Sequence, residues 1–315
     1  YKVYYMKFSI YKIYIVLLLF IIFSIQPEAS ARDSKTHYTR ENITNYFFGI
    51  ISANKNDNYE AYKYLKKVEK LQNKNSKFNI EFIRTLVLLE KFDKALDFSK
   101  NVWNEEELFF EADLLLGLDF FKKKDYINAE KYFERLNKIS KYNFLFDDFI
   151  GNVLIAWSKA SQGNQEESVK FLNKIPGVYK HLKKTQNCFL ECYFDTENVS
   201  KFYKEIIEDQ DYNFSRYNFF LINYFLYKNK ISDVKKIIIE SKEKYNSNLL
   251  INQTEDFFLN NKNEKIKSFF NCKDPNDSLA EFFYVIANLY SSEKNYRLSN
   301  FYLKISLFLN NKFLT

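Results

Sequence analysis

Three alanines recur at a fixed interval in the first half of the chain, and this interval constrains the fold more than any other feature. Ala61, Ala95 and Ala129 follow one another at spacings of 34 residues. A self-similar period of this length is typical of arrays in which each repeat is one supersecondary unit stacked on its neighbours. A small residue at a constant position lets two helices approach closely. We therefore expect a string of helical repeats rather than a domain built around a sheet.

The stretch from Leu116 to Phe133 shows one such unit in full. Gly117 is followed by an aromatic residue after three positions, another after nine, an alanine after twelve and an aromatic residue after sixteen. Two short antiparallel helices have this pattern, because small residues lie where the helices touch and aromatic side chains fill the gaps beside them. The packing residues of this unit are Gly117, Phe120, Tyr126, Ala129 and Phe133.

This spacing resembles the tetratricopeptide repeat (TPR), a helix–turn–helix unit of 34 residues. The resemblance implies an all-α fold, and specifically a right-handed α-solenoid of antiparallel helix hairpins. In such a superhelix the first helices line a concave face that binds a protein or peptide. Composition agrees with an all-helical chain, because 5 glycines and 3 prolines in 315 residues leave little material for turns between strands.

Other units repeat the pattern less regularly. Ser168 follows Ala129 by 39 residues instead of 34, so we place an insertion in the segment Tyr142–Asp148. The second unit has Ile83 where a small residue is usual. The remaining predicted packing residues are Gly49, Ala61 and Leu65; Leu86, Phe92 and Ala95; Ala156, Ser168 and Leu172; and Ala287, Tyr290, Tyr296, Ser299 and Leu303.

The pattern degenerates between about 180 and 275 and then recovers. Val199 and Val234 replace alanine in this region, which predicts that those helix pairs lie farther apart, and Asn187 takes the small position. No polar capping helix follows the last unit, although an array normally needs one to cover its final apolar face. We therefore expect the full protein to continue beyond Thr315.

The segment before the repeats has the organisation of an export signal. The only methionine, Met6, is the expected start of translation. Lys7 and Lys12 precede an apolar run at Ile13–Ile25, and the small residues of Ala29–Ala31 suit cleavage after Ala31. The run is shorter than the roughly 20 residues that a spanning helix needs. An uncleaved anchor in the inner membrane is the alternative.

Export places the mature chain in the periplasm or outside the cell. A polar, aperiodic lead-in follows the signal, and the first helix is expected to begin within 42–44, with Thr44 or Asn45 as its cap. The predicted divisions are a signal peptide over 1–31, the lead-in over 32–44 and the TPR-like array over 45–315.

The charge balance argues against a nucleic-acid partner. The net charge is +7, and it falls to +5 when residues 1–31, with Lys2, Lys7, Lys12 and Glu28, are removed. Lysines and acids alternate along the predicted helices without a dense basic run. We expect no nucleic-acid partner, and contact with the membrane only through the signal segment where it is kept.

The cysteines and histidines allow two interpretations. Cys188 and Cys192 are four residues apart on one predicted helical face, so they form a zinc site with His181 or they are buried apolar side chains. A disulfide between these two cysteines is geometrically poor within a helix. Cys272 makes the count odd, so the cysteines cannot all pair within one chain, although export permits oxidation.

No residue pattern indicates catalysis. The chain has two histidines, no glycine-rich phosphate loop and no Gly-x-Ser-x-Gly motif. The acidic clusters at Glu105–Glu107 and Glu208–Asp211 read as solvated helix ends. We expect no catalytic residue, no cofactor and no metal.

The predicted function is that of a non-catalytic adaptor that holds a protein or peptide of the cell envelope. The alternative is the helical solenoid portion of a larger envelope enzyme, similar to a lytic transglycosylase, whose catalytic domain lies outside this sequence. The sequence beyond Thr315 distinguishes the two. Exposed residues of the first helices are the predicted partner contacts, namely Asn45, Asn54, Asp113 and Asp119.

Overall fold

The computed structural model describes residues 39–72, 74–139, 149–209 and 213–312. Within these ranges the chain has sixteen α-helices, two short 3₁₀ helices and no β-strand, which confirms the predicted all-α class. None of the described helices is long and apolar enough to cross a membrane. The predicted signal peptide and the predicted insertion lie outside the described residues.

The helices are numbered in chain order. They are α1 (Arg40–Asn54), α2 (Asn58–Lys67), α3 (Ser76–Leu88), α4 (Phe92–Val102), α5 (Phe110–Lys122), α6 (Tyr126–Ile139), α7 (Phe149–Ser161), α8 (Gln165–Asn173), α9 (Lys180–Phe194), α10 (Val199–Ile207), α11 (Tyr217–Tyr227), α12 (Ile231–Lys244), α13 (Leu249–Leu259), α14 (Asn263–Phe269), α15 (Pro275–Ser292) and α16 (Tyr296–Leu309).

The first helix begins earlier than predicted. The Thr39 hydroxyl accepts a hydrogen bond from the backbone N–H of Asn42 at 3.1 Å, so Thr39 is the N-cap and α1 starts at Arg40. The expectation that Thr44 or Asn45 caps this helix is therefore wrong. Thr39 has extended backbone geometry, which a capping residue requires and which an interior helical residue lacks.

Every odd-numbered helix is joined to the next helix by the same turn. In the third pair the N–H of Lys124 donates to the carbonyl of Phe121, and the N–H of Asp125 donates to the carbonyl of Phe120. This is the Schellman arrangement, which satisfies helix carbonyls through one residue in the left-handed conformation. The eight left-handed residues are Asn56, Glu90, Lys124, Gly163, Asp195, Asn229, Asn261 and Lys294.

These turns carry the repeat along the whole described chain, including the region where the sequence pattern degenerates. Successive left-handed residues are 32 to 39 positions apart, and 34 apart in three intervals. Four of them are Asn or Asp, which adopt this conformation more readily than other non-glycine residues, so side-chain strain is accepted mainly at Glu90, Lys124 and Lys294. The period therefore resides in backbone geometry where the side chains have diverged.

One buried position accompanies every turn, and a second accompanies all but one of them. Ala61, Ala95 and Ala129 each lie five residues after a left-handed residue, and all three are fully buried. The residue seven positions before the left-handed residue is also buried in every pair. These residues are Gly49, Ile83, Gly117, Ala156, Cys188, Ile222, Thr254 and Ala287. Cys188 therefore occupies the position that was assigned to Asn187, an error of one residue.

The glycines at this position are required by close packing. A Cβ atom on Gly117 would lie 2.4 Å from Cε1 of Phe133, and one on Gly49 would lie 2.5 Å from Cδ2 of Leu65. Both partners follow their glycine by 16 residues, on the second helix of the same pair. The first and second helices of these pairs thus approach more closely than alanine would allow.

The last helix pair returns to the beginning of the array. Consecutive helices contact one another from α1 to α14 and again in the pair of α15 and α16, but α16 also contacts α3, and α15 also contacts α7 and α9. Phe308 of α16 lies 4.7 Å from Phe92 between ring centroids, and Phe282 of α15 lies 5.7 Å from Phe149. An array with contacts only between neighbouring repeats would lack these contacts.

One predicted packing residue is misplaced. Tyr296 was expected to pack as Tyr126 does, but its side chain is 55% exposed. Tyr126 is half-buried and lies 5.2 Å from Phe121 between ring centroids. The described residues contain no later pair that could cover Tyr296 in the same way.

Candidate functional site

Two of the four predicted partner contacts are buried, so the expectation that they are exposed is wrong. The Asp113 carboxylate accepts hydrogen bonds from Nε1 of Trp103 and Nε of Arg135, both at 2.7 Å, and its side chain has no exposed surface. Asn45 is only 7% exposed. Asp113 is therefore committed to internal contacts and is not available to a partner.

These residues belong to a recurring buried polar position. In five pairs the residue eleven positions before the left-handed residue is polar and buried, and these residues are Asn45, Asn79, Asp113, Asn152 and Asn218. Asn152 accepts a hydrogen bond from the amide of Asn137, and the amide of Asn218 donates to the carbonyl of Ser215. Such bonds offset the cost of burying an amide. The position therefore has a structural role.

The other two predicted contacts lie nearer the surface. Asp119 forms an ion pair with Lys123 at 2.6 Å, and 13% of its side chain is exposed. Asn54 is exposed at the C-terminal end of α1. Asn54 is thus the only one of the four that is both exposed and without an ion pair in the described part of the chain.

The last two helices, α15 and α16, form the C-terminal pair. This pair covers part of the surface of α3, the first helix of the second pair. Arg297 donates hydrogen bonds to the Glu81 carboxylate at 2.9 Å and to the Thr85 hydroxyl at 3.3 Å, both in α3. Lys304 forms an ion pair with Glu90 at 2.6 Å. The C-terminal pair of this chain thus occupies surface on α3 that an open superhelix would present to a partner.

A second ion pair fixes the other helix of the C-terminal pair. The Arg216 guanidinium donates to both oxygens of Glu281 in α15 at 3.0 Å. Only 1% of the Glu281 side chain is exposed. A buried pair of this kind gives specificity to a contact, because either partner alone would be left charged in an apolar environment.

A disulfide also links the array to the C-terminal pair. Cys192 in α9 is bonded to Cys272, which lies three residues before α15, and their Cα atoms are 5.8 Å apart. Cys188 is free and buried. Cys188 and Cys192 are buried, as the apolar interpretation expected, but Cys192 is paired in a disulfide. The bonded partner is 80 residues away, so sequence spacing gave no indication of it.

The alternative zinc interpretation finds no support in the described residues. They contain no cluster of three or more His, Cys, Asp or Glu side chains that could hold a metal. His181 lies beside Asp209, with Nδ1 3.5 Å from the carboxylate, and its ring is 5.7 Å from that of Phe214.

An open groove lies between α10 and α12, with α11 as its floor. Its volume is about 370 Å³. Leu221 and Phe225 of α11 are buried at its base, and the half-buried Ile207 and Ile237 line it from α10 and α12. Charged residues of both signs stand around it, and they are Lys204, Glu208, Asp233, Lys236, Glu240 and Lys244.

Sequence reasoning missed this groove because it assigned the region to a degenerate part of the array. The available signal was the pair of valines. Val199 and Val234 are buried in α10 and α12, the two helices that border the groove. The expectation from these valines concerned the two helices within one pair, whereas the groove lies between the second helices of two successive pairs.

A more polar cavity lies at the end of the C-terminal pair. It has a volume of about 410 Å³ and is lined by residues that include Lys122, Asp277 and Asn310. Burial raises the pKa of the Asp277 carboxyl to about 7. That carboxylate accepts a hydrogen bond from the backbone N–H of Asn271 at 2.7 Å, and Lys122 donates to the carbonyl of Phe308. The side chains of Asp277 and Lys122 therefore each make a hydrogen bond to the backbone of another residue.

No protein-family model matches the chain, and no curated protein matches it.

Proposed function

We propose that this protein is a non-catalytic scaffold that binds a protein or peptide of the cell envelope in the groove between α10 and α12. The observation that carries the proposal is the recurrence of one turn and one buried position through the eight helix pairs of the described residues. Repetition of a single unit is the signature of binding arrays. In the proposed arrangement the pairs are antiparallel hairpins of a right-handed, TPR-like superhelix.

The groove suits an amphipathic helix. Its base is apolar through Leu221, Phe225 and Ile237, and its edges carry both lysines and acids. A helical segment recognised in this way places apolar residues at i, i+3, i+4 and i+7 into the groove and its charged residues at the rim. Charges of both signs at the rim can fix the direction of such a segment by pairing with its ends.

The predicted site on the concave face is less suitable. Arg297, Lys304 and Phe308 of the C-terminal pair already contact α3 and α4 or the turn between them. A partner on that surface would have to displace these contacts, including a buried ion pair. The groove between α10 and α12 requires no such displacement.

Export to the periplasm is part of the proposal. The sequence signal over residues 1–31 supports it, and so does the Cys192–Cys272 disulfide. Disulfides persist in oxidising compartments and are rare in the cytosol. The mature scaffold in this proposal begins at Arg32.

Capture from an envelope extract tests the proposal. The chain from Arg32 onward serves as bait, beside a variant with Ile237→Asp in the groove and one with Ile239→Asp. Ile239 is the matched control, because it lies in the same helix, is 48% exposed and does not line the groove. We expect one specific partner with the unchanged chain and the control, and its loss with Ile237→Asp.

Thermal unfolding of both variants belongs to the same experiment, because Ile237 is partly buried. The proposal is rejected if folded Ile237→Asp captures the same partner as the control. It is also rejected if the unchanged chain captures nothing above a scrambled-sequence bait.

A further inference from the structure

The first helix exposes an apolar face. Ile43, Phe47, Phe48 and Ile51 of α1 are between 42% and 57% exposed, and we call them the α1 face. Positions 43, 47 and 51 are four residues apart, which is about one helical turn. Three of these side chains therefore form a line along one side of the helix. Glu41 is the acidic residue of α1, and it lies in the first turn.

The equivalent face is buried in the helices that follow. The residue nine positions before the left-handed residue is Phe47 in α1, and the next position is Phe48. Their counterparts in α3, α5 and α7 are all buried, and these are Glu81 and Phe82, Leu115 and Leu116, and Leu154 and Ile155. The array therefore covers this face in each of these three helices and leaves it open on α1.

Cationic side chains adjoin the α1 face. The ring of Phe48 stacks on Tyr64 of α2 with centroids 5.5 Å apart. The ammonium groups of Lys63 and Lys67 lie 5.6 and 5.7 Å from the centroid of the same Tyr64 ring. The segment from Arg40 to Lys77 contains eight basic and four acidic residues. Lys63 also pairs with Glu60 at 2.9 Å, and the excess of basic over acidic residues in this segment leaves a net positive charge beside the apolar strip.

We propose that the α1 face, together with Lys63 and Lys67, docks the protein on an anionic lipid surface. A helix that lies in a bilayer interface buries aromatic and aliphatic side chains at the boundary of headgroups and acyl chains. Lysines beside it are attracted by acidic headgroups. Phe47 and Ile51 would enter the boundary region, and the two lysines would meet lipid phosphates.

Charge favours lipid over a second copy of the chain. Two α1 faces brought together by a two-fold axis would place the lysines of both α2 helices near one another, and like charges across an interface are unfavourable. The apolar run Ile13–Ile25 precedes α1 by the 14 residues of 26–39. In a form that keeps this run in a membrane, 14 residues can span at most about 50 Å, and α1 is the first described helix after the run.

Vesicle co-sedimentation tests the proposal. The chain from Arg32 onward keeps every described helix and removes the apolar run, so that the run itself does not contribute to binding. It is mixed with vesicles of phosphatidylcholine alone, or of phosphatidylcholine with phosphatidylglycerol, and the bound fraction is measured. We expect binding to the anionic vesicles that exceeds binding to the neutral ones.

Paired variants separate the apolar and the electrostatic contributions. We expect Phe47→Ala with Ile51→Ala to weaken binding to anionic vesicles by at least about tenfold, because two apolar side chains no longer enter the lipid. Lys63→Gln with Lys67→Gln should weaken it by about tenfold on anionic vesicles only. The matched controls are Ile127→Ala with Ile239→Ala, and Lys201→Gln with Lys235→Gln, at exposed positions elsewhere.

Three outcomes would overturn the proposal. The first is equal binding to neutral and anionic vesicles, and the second is equal loss with the control variants. The third is a chain that forms a dimer which Phe47→Ala with Ile51→Ala dissociates, since the α1 face would then be an interface between two copies. Circular dichroism of each variant shows that the fold is retained, and the half-exposed positions make this the expected result.

Discussion

Arg297 in α16 donates a hydrogen bond to the Glu81 carboxylate in α3 at 2.9 Å, although the two residues are 216 positions apart. The same guanidinium donates to the carbonyl of Ala53 and to the side-chain oxygen of Asn58, at the turn between α1 and α2. Only 12% of each charged side chain is exposed. One arginine therefore ties the last helix to the first two pairs.

The first prediction concerns this arginine. Replacing it, Arg297→Leu, should lower the free energy of unfolding by about 3 kcal/mol, because the largely buried Glu81 loses its closer cationic partner and keeps only Arg84, at 3.9 Å. Urea unfolding followed by circular dichroism measures the change. The slope of the transition should also be recorded, since it reports whether the C-terminal pair separates before the rest.

Lys304→Leu is the control for this measurement. Lys304 pairs with Glu90, but their side chains are 29% and 59% exposed, so the loss should stay below about 1 kcal/mol. Similar losses in the two variants would mean that burial of the Arg297 pair does not distinguish it from a surface ion pair.

The repeat could be read from the sequence where small residues preserve it. Gly117 and Phe133 meet so closely that neither can change freely, and such pairs leave a visible spacing. The turns left a weaker signal, because Asn, Asp or Gly takes the left-handed position at five of them but Glu90, Lys124 and Lys294 take it at the other three. The turn hydrogen bonds are made by backbone groups, which any sequence supplies.

The return of the last pair could not be predicted. It depends on small rotations between successive pairs, which add up over the whole array. Neither Arg297 nor Glu81 carries a local sign of its partner. The same limit applied to Asp113, which was interpreted as exposed because it is charged, whereas Trp103 and Arg135 satisfy its carboxylate in the interior.

The second prediction tests the close approach of helices. Gly117→Ala should destabilise the protein by about 1 to 3 kcal/mol, because the new methyl group would lie 2.4 Å from the Phe133 ring in a packed core. Adding Phe133→Leu to this variant should make the alanine substitution less costly than it is in the unchanged protein. A double-mutant cycle from thermal or urea unfolding measures that coupling.

Gly177→Ala is the matched control for the glycine substitution. A Cβ atom at Gly177 would meet nothing within 4 Å, so this change should be neutral or stabilise the protein by up to about 1 kcal/mol. Equal destabilisation by the two alanine substitutions would show that loss of glycine, rather than contact with Phe133, is responsible.

The third prediction concerns the disulfide. The double variant Cys192→Ala with Cys272→Ala should lose about 4 kcal/mol of stability, because the bond closes a segment of 80 residues in the unfolded chain. Dithiothreitol should destabilise the unchanged protein by a similar amount and leave the double variant unaffected. Urea unfolding with and without the reductant gives both values.

Thiol titration in denaturant provides an independent check. The non-reduced chain should show one thiol, from Cys188, and the reduced chain three. Cys188→Ala should show none before reduction and should keep its sensitivity to dithiothreitol. Three thiols in the non-reduced protein would contradict the assigned bond.

The fourth prediction is a pH dependence of stability at Asp277. Burial raises the pKa of this carboxyl to about 7, above the value near 3.8 of an unburied aspartate, and Asp274 adds to the shift. Between these two pH values the folded chain holds a proton that the unfolded chain has lost. The stabilisation is therefore complete below about pH 4 and declines as the pH rises through 7.

Asp277→Asn should remove this decline. The asparagine oxygen can still accept the hydrogen bond that Asn271 donates at 2.7 Å, and the group no longer ionises. We expect the variant to match the unchanged protein near pH 4 and to exceed its stability by roughly 2 kcal/mol at pH 8, a figure reduced to allow for partial exposure to solvent. Urea unfolding at several pH values measures the difference. A difference that stays constant from pH 4 to pH 8 would mean that the Asp277 carboxyl ionises alike in the folded and unfolded chain.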